Sequence, residues 1–197
     1  MEPSLEQLRK NYDQFDDKKL IRIATEEAAG LRPEALELVK QIIKERGLST
    51  AVTKGIDVQL EKIGDARLHE YTELLRRLPC PVCNRTDEKL NASITATAIS
   101  YIFLTQLRKE LKIACPQCLD KLHKDATTKS ALFGWWGIPW GIIRTPGAII
   151  FNNKMKKGNS LNEANNLLKS FVLDRVGRIE SSRNNQEELL DIITHIR

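Results

Sequence analysis

Apolar residues recur every three or four positions through most of residues 4–76, a spacing that predicts a run of helices. Leu5, Leu8 and Tyr12 share one side of a short first helix. Asp16 or Asp17 is placed to cap a second, which carries Leu20, Ile21, Ile23 and Ala24 and stops at Gly30. Pro33 stands where a third begins, with Leu36, Val39, Ile42 and Ile43 on its apolar face. Gly47 ends that helix and lets Leu48 fold back onto it, so the second and third helices form an αα-hairpin. A further helix is expected over about 52–77, bearing Ile56, Leu60, Ile63, Tyr71, Leu74, Leu75 and Leu78 and weakened by Gly55 and Gly64.

The period then changes. Leu90 to Thr105 is rich in β-branched and aromatic residues, and its first half alternates Ser and Thr with Ile and Ala, the period of two of a half-buried strand. Arg108-Lys109-Glu110 reads as a polar turn and Leu111–Ala114 as the returning strand; a helix over 92–104 is the rival assignment. After the basic stretch Lys154–Asn159, Ser160 is placed to cap a helix carrying Leu161, Leu168, Phe171, Val172 and Val176. Asn184 or Asn185 would cap a last one with Leu189, Ile192, Ile193 and Ile196. The expected fold class is α+β and mostly helical, in three segments: a helical leader (1–78), a ribbon-like region (79–152) and a C-terminal helical segment (153–197).

Ala131–Phe151 interrupts this pattern: 21 residues with one charge, Arg144, holding all three tryptophans of the chain, Trp135, Trp136 and Trp140. The length permits a spanning helix, but four glycines, two prolines and a central arginine oppose a lipid-exposed one. Tryptophans suit the headgroup level, and Lys121, Lys124, Lys129, Lys154, Lys156 and Lys157 on either side suit an anionic leaflet. The favoured reading is a buried segment packed on the hairpin and helices, its glycines permitting close approach; an interfacial segment comes next and a spanning one last. Arg144 would snorkel, pair with a carboxylate or bind phosphate.

The chemistry sits in four cysteines. Cys80-Pro81-Val82-Cys83 and Cys115-Pro116-Gln117-Cys118 contain every cysteine in the chain. Two thiolates two residues apart bind one ion from a tight turn, and two such pairs supply a structural tetrahedral zinc site. The turn after such a pair favours a residue that tolerates positive φ; Asn84 qualifies and Leu119 does not. Redox exchange is disfavoured because no strand-helix alternation surrounds the pairs. Disulfides would require an oxidising compartment, and the first residues carry neither a basic start nor an apolar core of a signal peptide. The expected location is therefore cytoplasmic, with the inner membrane face as a variant.

Net charge is +5, and residues 80–150 contribute nine basic against five acidic side chains, while residues 1–79 are close to balance. Such a surplus attracts an anionic membrane or nucleic acid. In the nucleic-acid reading, Arg108, Lys109 and Lys112 are the foremost candidate phosphate contacts, joined by Arg85, Lys89, Lys121 and Lys124, with Tyr101 and Phe103 as the nearby aromatics for stacking. Catalytic groupings are lacking: there are three histidines, His69 and His195 read as surface residues, and His123 is a minor candidate to replace a cysteine at zinc. No metalloprotease, phosphate-loop, nucleophile-elbow or deaminase pattern occurs, so an enzyme is not expected.

The succession of Cys-Pro-x-Cys, Ile99–Thr105, a second Cys-Pro-x-Cys and Gly134-Trp135-Trp136-Gly137-Ile138-Pro139-Trp140-Gly141 with Thr145-Pro146 resembles a group of poorly characterised bacterial proteins. These pair a double-cysteine ribbon with a tryptophan-glycine-proline segment, and the likeness spans about residues 16–180. It implies the fold and assigns no activity. Together these readings lead to a non-catalytic adaptor built on structural zinc, with a protein partner and an anionic membrane surface as the expected contacts of Trp135, Trp136, Trp140 and Arg144. A nucleic-acid-binding zinc ribbon is the alternative.

Overall fold

A computed structural model describes residues 4–48, 50–60, 63–101 and 104–196. Among these are nine α-helices and one two-stranded antiparallel sheet, so the chain is α+β and mostly helical. It divides into two compact units: Met1–Tyr71 with Ser170–Ile192, and Thr72–Lys169 with Ile193–Arg197.

The first unit is helical and its local signals act as the sequence predicts. Ser4 opens α1 (Leu5–Asp13) with a capping box to Gln7, and Asp16 caps α2 (Asp17–Glu26) by accepting from the Lys19 amide at 2.7 Å. A 3-10 turn, Ala28–Gly30, leads to α3 (Pro33–Glu45), which ends on Gly47 at φ 65° with the Leu48 amide donating back to the Ile43 carbonyl at 3.1 Å. The expected single helix over 52–77 is instead two, α4 (Thr50–Leu60) and α5 (Asp65–Arg76), with Gly64 just before the second. Leu20, Ala24, Val39, Ile42, Ile43 and Ile56 are buried together in the core of this unit. The last helices start later than or where expected. Asn165, not Ser160, caps α8 (Asn166–Ser181), accepting from the Leu168 amide at 2.9 Å, whereas Asn185 does cap α9 (Gln186–Thr194).

The second unit is built on a hairpin. Strand β1 (Asn91–Tyr101) pairs antiparallel with β2 (Leu104–Ala114), Asn91 opposite Ala114 at one end and Tyr101 opposite Leu104 at the other. The polar run Arg108-Lys109-Glu110 is therefore mid-strand and not a turn. Its polarity reflects exposure: residues 106–109 are exposed in succession and Glu110 is half-buried, opposite the buried Thr95. Phe103, read as a stacking aromatic, lies outside the described residues.

Helices α6 (Pro116–Phe133) and α7 (Trp140–Lys156) run along the hairpin, α6 away from the cysteines and α7 back toward them. Of the basic stretch Lys154–Asn159, expected to link two elements, Lys154–Lys156 are instead the last turn of α7. A two-stranded sheet leaves both edges unpaired, and here side chains serve the free edge of β1 at alternate residues. The Asn165 Nδ2 donates to the Ala92 carbonyl at 2.5 Å. The Asn152 amide accepts from Ala96 N and donates to Ala96 O, both at 2.8 Å. Ser130 Oγ accepts from Ala98 N at 3.0 Å, and the Ser100 hydroxyl donates to the Gly134 carbonyl. Ala96, Ala98 and Ala148 pack beneath these bonds, small enough for the helix backbones to approach the strand.

Candidate metal centre and the exposed end of the hairpin

Each cysteine pair reaches the centre by a different local structure. Cys80–Asn84 is a tight turn: the Asn84 amide donates to Cys80 O at 2.8 Å, the Cys80 amide donates to Arg85 O at 2.9 Å, and Asn84 adopts φ 58°. Asparagine tolerates that left-handed geometry, as its position predicts. The second pair needs no such residue because it begins a helix. Cys115 is the N-cap of α6, Pro116 fills the first turn where its missing N–H costs nothing, and Leu119 donates to Cys115 O at 3.0 Å as an ordinary helical residue. Gln117, between the second pair of cysteines, locks the two turns together: it accepts from Arg85 at 2.8 Å and donates to Glu88 at 2.9 Å.

The four sulfurs, drawn from the stretch Cys80 to Cys118, all lie within 4.8 Å of one another, and Cys83 and Cys115 Sγ are 3.7 Å apart. Four thiolates at the ordinary zinc–sulfur distance from one ion stand about 3.8 Å from each other, so the donor set fits a single tetrahedral ion. Cys80, Cys115 and Cys118 are buried and Cys83 is half-buried; none is in a disulfide. The Cys115 amide donates to Cys80 Sγ at 3.4 Å, the kind of support that fixes a ligating sulfur. Without metal the thiols differ. A hydrogen bond from the Arg85 backbone, helped by its side chain, lowers Cys83 to about 6, whereas burial pushes Cys118 up to about 11 and Cys115 higher still. A bound cation would favour thiolate at all four.

Arg76, four residues before the first cysteine, ties together three segments of this unit, a role the sequence does not announce. Its buried guanidinium donates to Leu90 O at 3.2 Å, Asn162 O at 2.8 Å and Glu73 at 2.6 Å, tying the end of α5 to the start of β1 and the loop before α8. An arginine on a polar helix looks like a solvated charge; only the tertiary structure shows otherwise. His123 is not among the metal-binding group. It is buried in α6 with Nε2 2.7 Å from Ser93 Oγ, and burial lowers its pKa, so it packs as a neutral imidazole. His69 and His195 are exposed.

The other end of the hairpin overturns the favoured reading of Ala131–Phe151 as buried. Trp135, Trp136 and Trp140 are exposed, Trp136 at 71%. What is buried is the backbone at Gly134, Gly137 and Gly141, with Thr145 and Ala148 further along. A Cβ on Gly137 would stand 2.4 Å from Thr105 Oγ1, and one on Gly141 2.6 Å from the Gly134 carbonyl. The connection between α6 and α7 thus lies flush on the strand ends through its glycines, which leaves its large side chains facing out. The Arg144 guanidinium lies 5.5 Å from the Trp140 ring and donates to Thr105 O at 2.5 Å, so it bonds the hairpin instead of meeting a carboxylate. Among the described residues no helix is long and apolar enough to cross a membrane.

The candidate phosphate contacts are already engaged. Arg108 and Lys112 both pair with Glu110, at 2.6 and 2.8 Å, and the Lys109 ammonium sits 4.7 Å from the Phe151 ring centre. In comparisons with known proteins, no family model matches the chain, and neither a curated protein nor a solved structure matches it significantly.

Proposed function

We propose that the chain is a non-catalytic interaction protein in which zinc fixes one end of a long hairpin so that the other end can present an apolar docking surface. The observation that carries this reading is the pairing of a four-thiol cluster at the Asn91–Ala114 end with exposed tryptophans beyond the Tyr101–Leu104 end. Zinc is the natural ion for four sulfur donors, and free cysteines of this kind persist in a reducing compartment, at the cytoplasmic side. Four thiolates fill a tetrahedral ion and leave no position for a water or substrate, which favours architecture over catalysis. The metal contributes folding energy to a hairpin that would be marginal alone. The nucleic-acid alternative has less support, since Glu110 holds two of its three phosphate-binding candidates.

Zinc content and hydrogen exchange of the purified full chain, before and after chelation, test the reading. It predicts about one zinc per chain and a loss of amide protection across residues 80–118 when zinc is removed, with the same loss in Cys80→Ser. Protection unchanged after complete zinc removal would contradict a structural role for the metal. A mobility shift with single- and double-stranded nucleic acid at low and high salt tests the alternative, which predicts steeply salt-dependent binding.

A further inference from the structure

Seventeen large apolar side chains are exposed among the described residues, and twelve of them fall between Tyr101 and Ile150, on the end of the hairpin, the adjoining end of α6 and along α7. Scattered exposed apolar residues need no explanation, but a cluster of this density marks a contact. We infer that this end of the hairpin inserts into the headgroup region of an anionic lipid bilayer, an inference that rests on the docking-surface reading above and names its partner.

Three features select lipid over a protein partner. First, two of the three indole N–H groups are already satisfied. Trp135 Nε1 donates to Ala131 O at 2.8 Å and Trp136 Nε1 to Leu132 O at 3.2 Å, so each indole caps a carbonyl at the C-terminal end of α6. Both groups can enter an apolar phase without leaving a donor or acceptor unpaired, whereas a protein interface would typically exploit a free indole N–H for recognition. Second, the end is free of acidic residues. From Ala96 to Lys109 and from Ala126 to Asn153 there is no Asp or Glu; Glu110, which borders the first stretch and pairs with Arg108 and Lys112, is one negative charge against Arg108, Lys109, Lys112, Lys129 and Arg144.

Third, Arg108, Lys109 and Lys129 are set back from the aromatics, while Arg144 stands beside Trp140 and bonds Thr105. Lys129 precedes the end of α6 by four residues, about 6 Å of helix, and Arg108 lies four pairs behind Tyr101–Leu104, about 14 Å of strand. Apolar side chains at the front and a cationic level on the order of 10 Å behind match the insertion depth and charge of an interfacial anchor on anionic lipid. No spanning segment is needed.

Vesicle flotation and tryptophan fluorescence on the zinc-bound full chain test this. Vesicles of phosphatidylcholine mixed with phosphatidylglycerol should bind the protein about tenfold more tightly than phosphatidylcholine alone, and brominated acyl chains should quench its tryptophans. Trp136→Ser with Ile138→Ser should weaken that binding about a hundredfold without lowering zinc content or thermal stability, because both side chains are exposed. Lack of vesicle binding by protein that retains zinc and hairpin protection overturns the lipid inference alone; the docking reading then survives if the same double variant abolishes self-association or binding of a purified protein partner. Equal binding to both vesicle types, or unaltered binding of the double variant, also overturns it.

Discussion

At the scale of single residues, buried polar groups divide into those that hold the fold and those placed to hold a metal ion. Glu180 is a buried carboxylate that accepts from the Tyr71 hydroxyl at 3.0 Å and pairs with Lys54 and, at 3.5 Å, with Arg183. Burial raises its pKa, but the bonds from Lys54 and Tyr71 and the nearby Arg183 outweigh this and hold it below the ordinary 4.5. A carboxylate with a depressed folded-state pKa adds stability above its unfolded value and loses it as the pH falls through the folded one. Glu180→Gln should therefore cost about 1–3 kcal/mol at neutral pH, the low part of the range because Lys54 is largely exposed. The difference from the parent chain should shrink as the pH is lowered below 4.5. Urea melts at neutral and acidic pH measure both; an equal deficit at every pH would show that the charge of Glu180 is not what stabilises.

At the scale of elements, the hairpin shows what local pattern reveals and what it hides. The helix caps at Asp16, Gly47 and Asn185 were legible because capping is a short-range hydrogen-bonding problem that the neighbouring residues solve. The four cysteines were legible because their spacing is their chemistry. The reversal of the strands was not. A turn is expected to be polar, yet the strands reverse between Tyr101 and Leu104, both exposed and apolar, and the polar Arg108-Lys109-Glu110 stays in the ladder. Solvent exposure and chain reversal usually coincide; at this end they are separated.

The same local view took Gly55 for a weak point in a helix. A Cβ there would lie 2.2 Å from the Gly177 carbonyl, so its lack of a side chain is what lets α4 and α8 touch. Asn152, just past the apolar segment, gives no sign in the sequence that it pairs with both backbone groups of Ala96. Asn152→Leu removes both partners and should destabilise the second unit by about 2–4 kcal/mol, against no more than about 0.5 kcal/mol for the exposed Asn153→Leu. Thermal or denaturant melts compare the two; equal effects would mean that edge pairing contributes little.

At the scale of the whole molecule, composition gave a modest positive charge and an apolar segment long enough for several fates. Hydropathy could not separate burial from exposure, because buried glycines and exposed aromatic side chains alternate within one stretch. The structure resolves that by placing the apolar surface at one end of a strand pair and four thiols at the other. The account depends on those thiols sharing one ion. X-ray absorption at the zinc edge of the purified chain measures this directly: it should report zinc with four sulfur neighbours at about 2.3 Å. A first shell containing nitrogen or oxygen, or a protein that carries no zinc when isolated under reducing conditions, would contradict it.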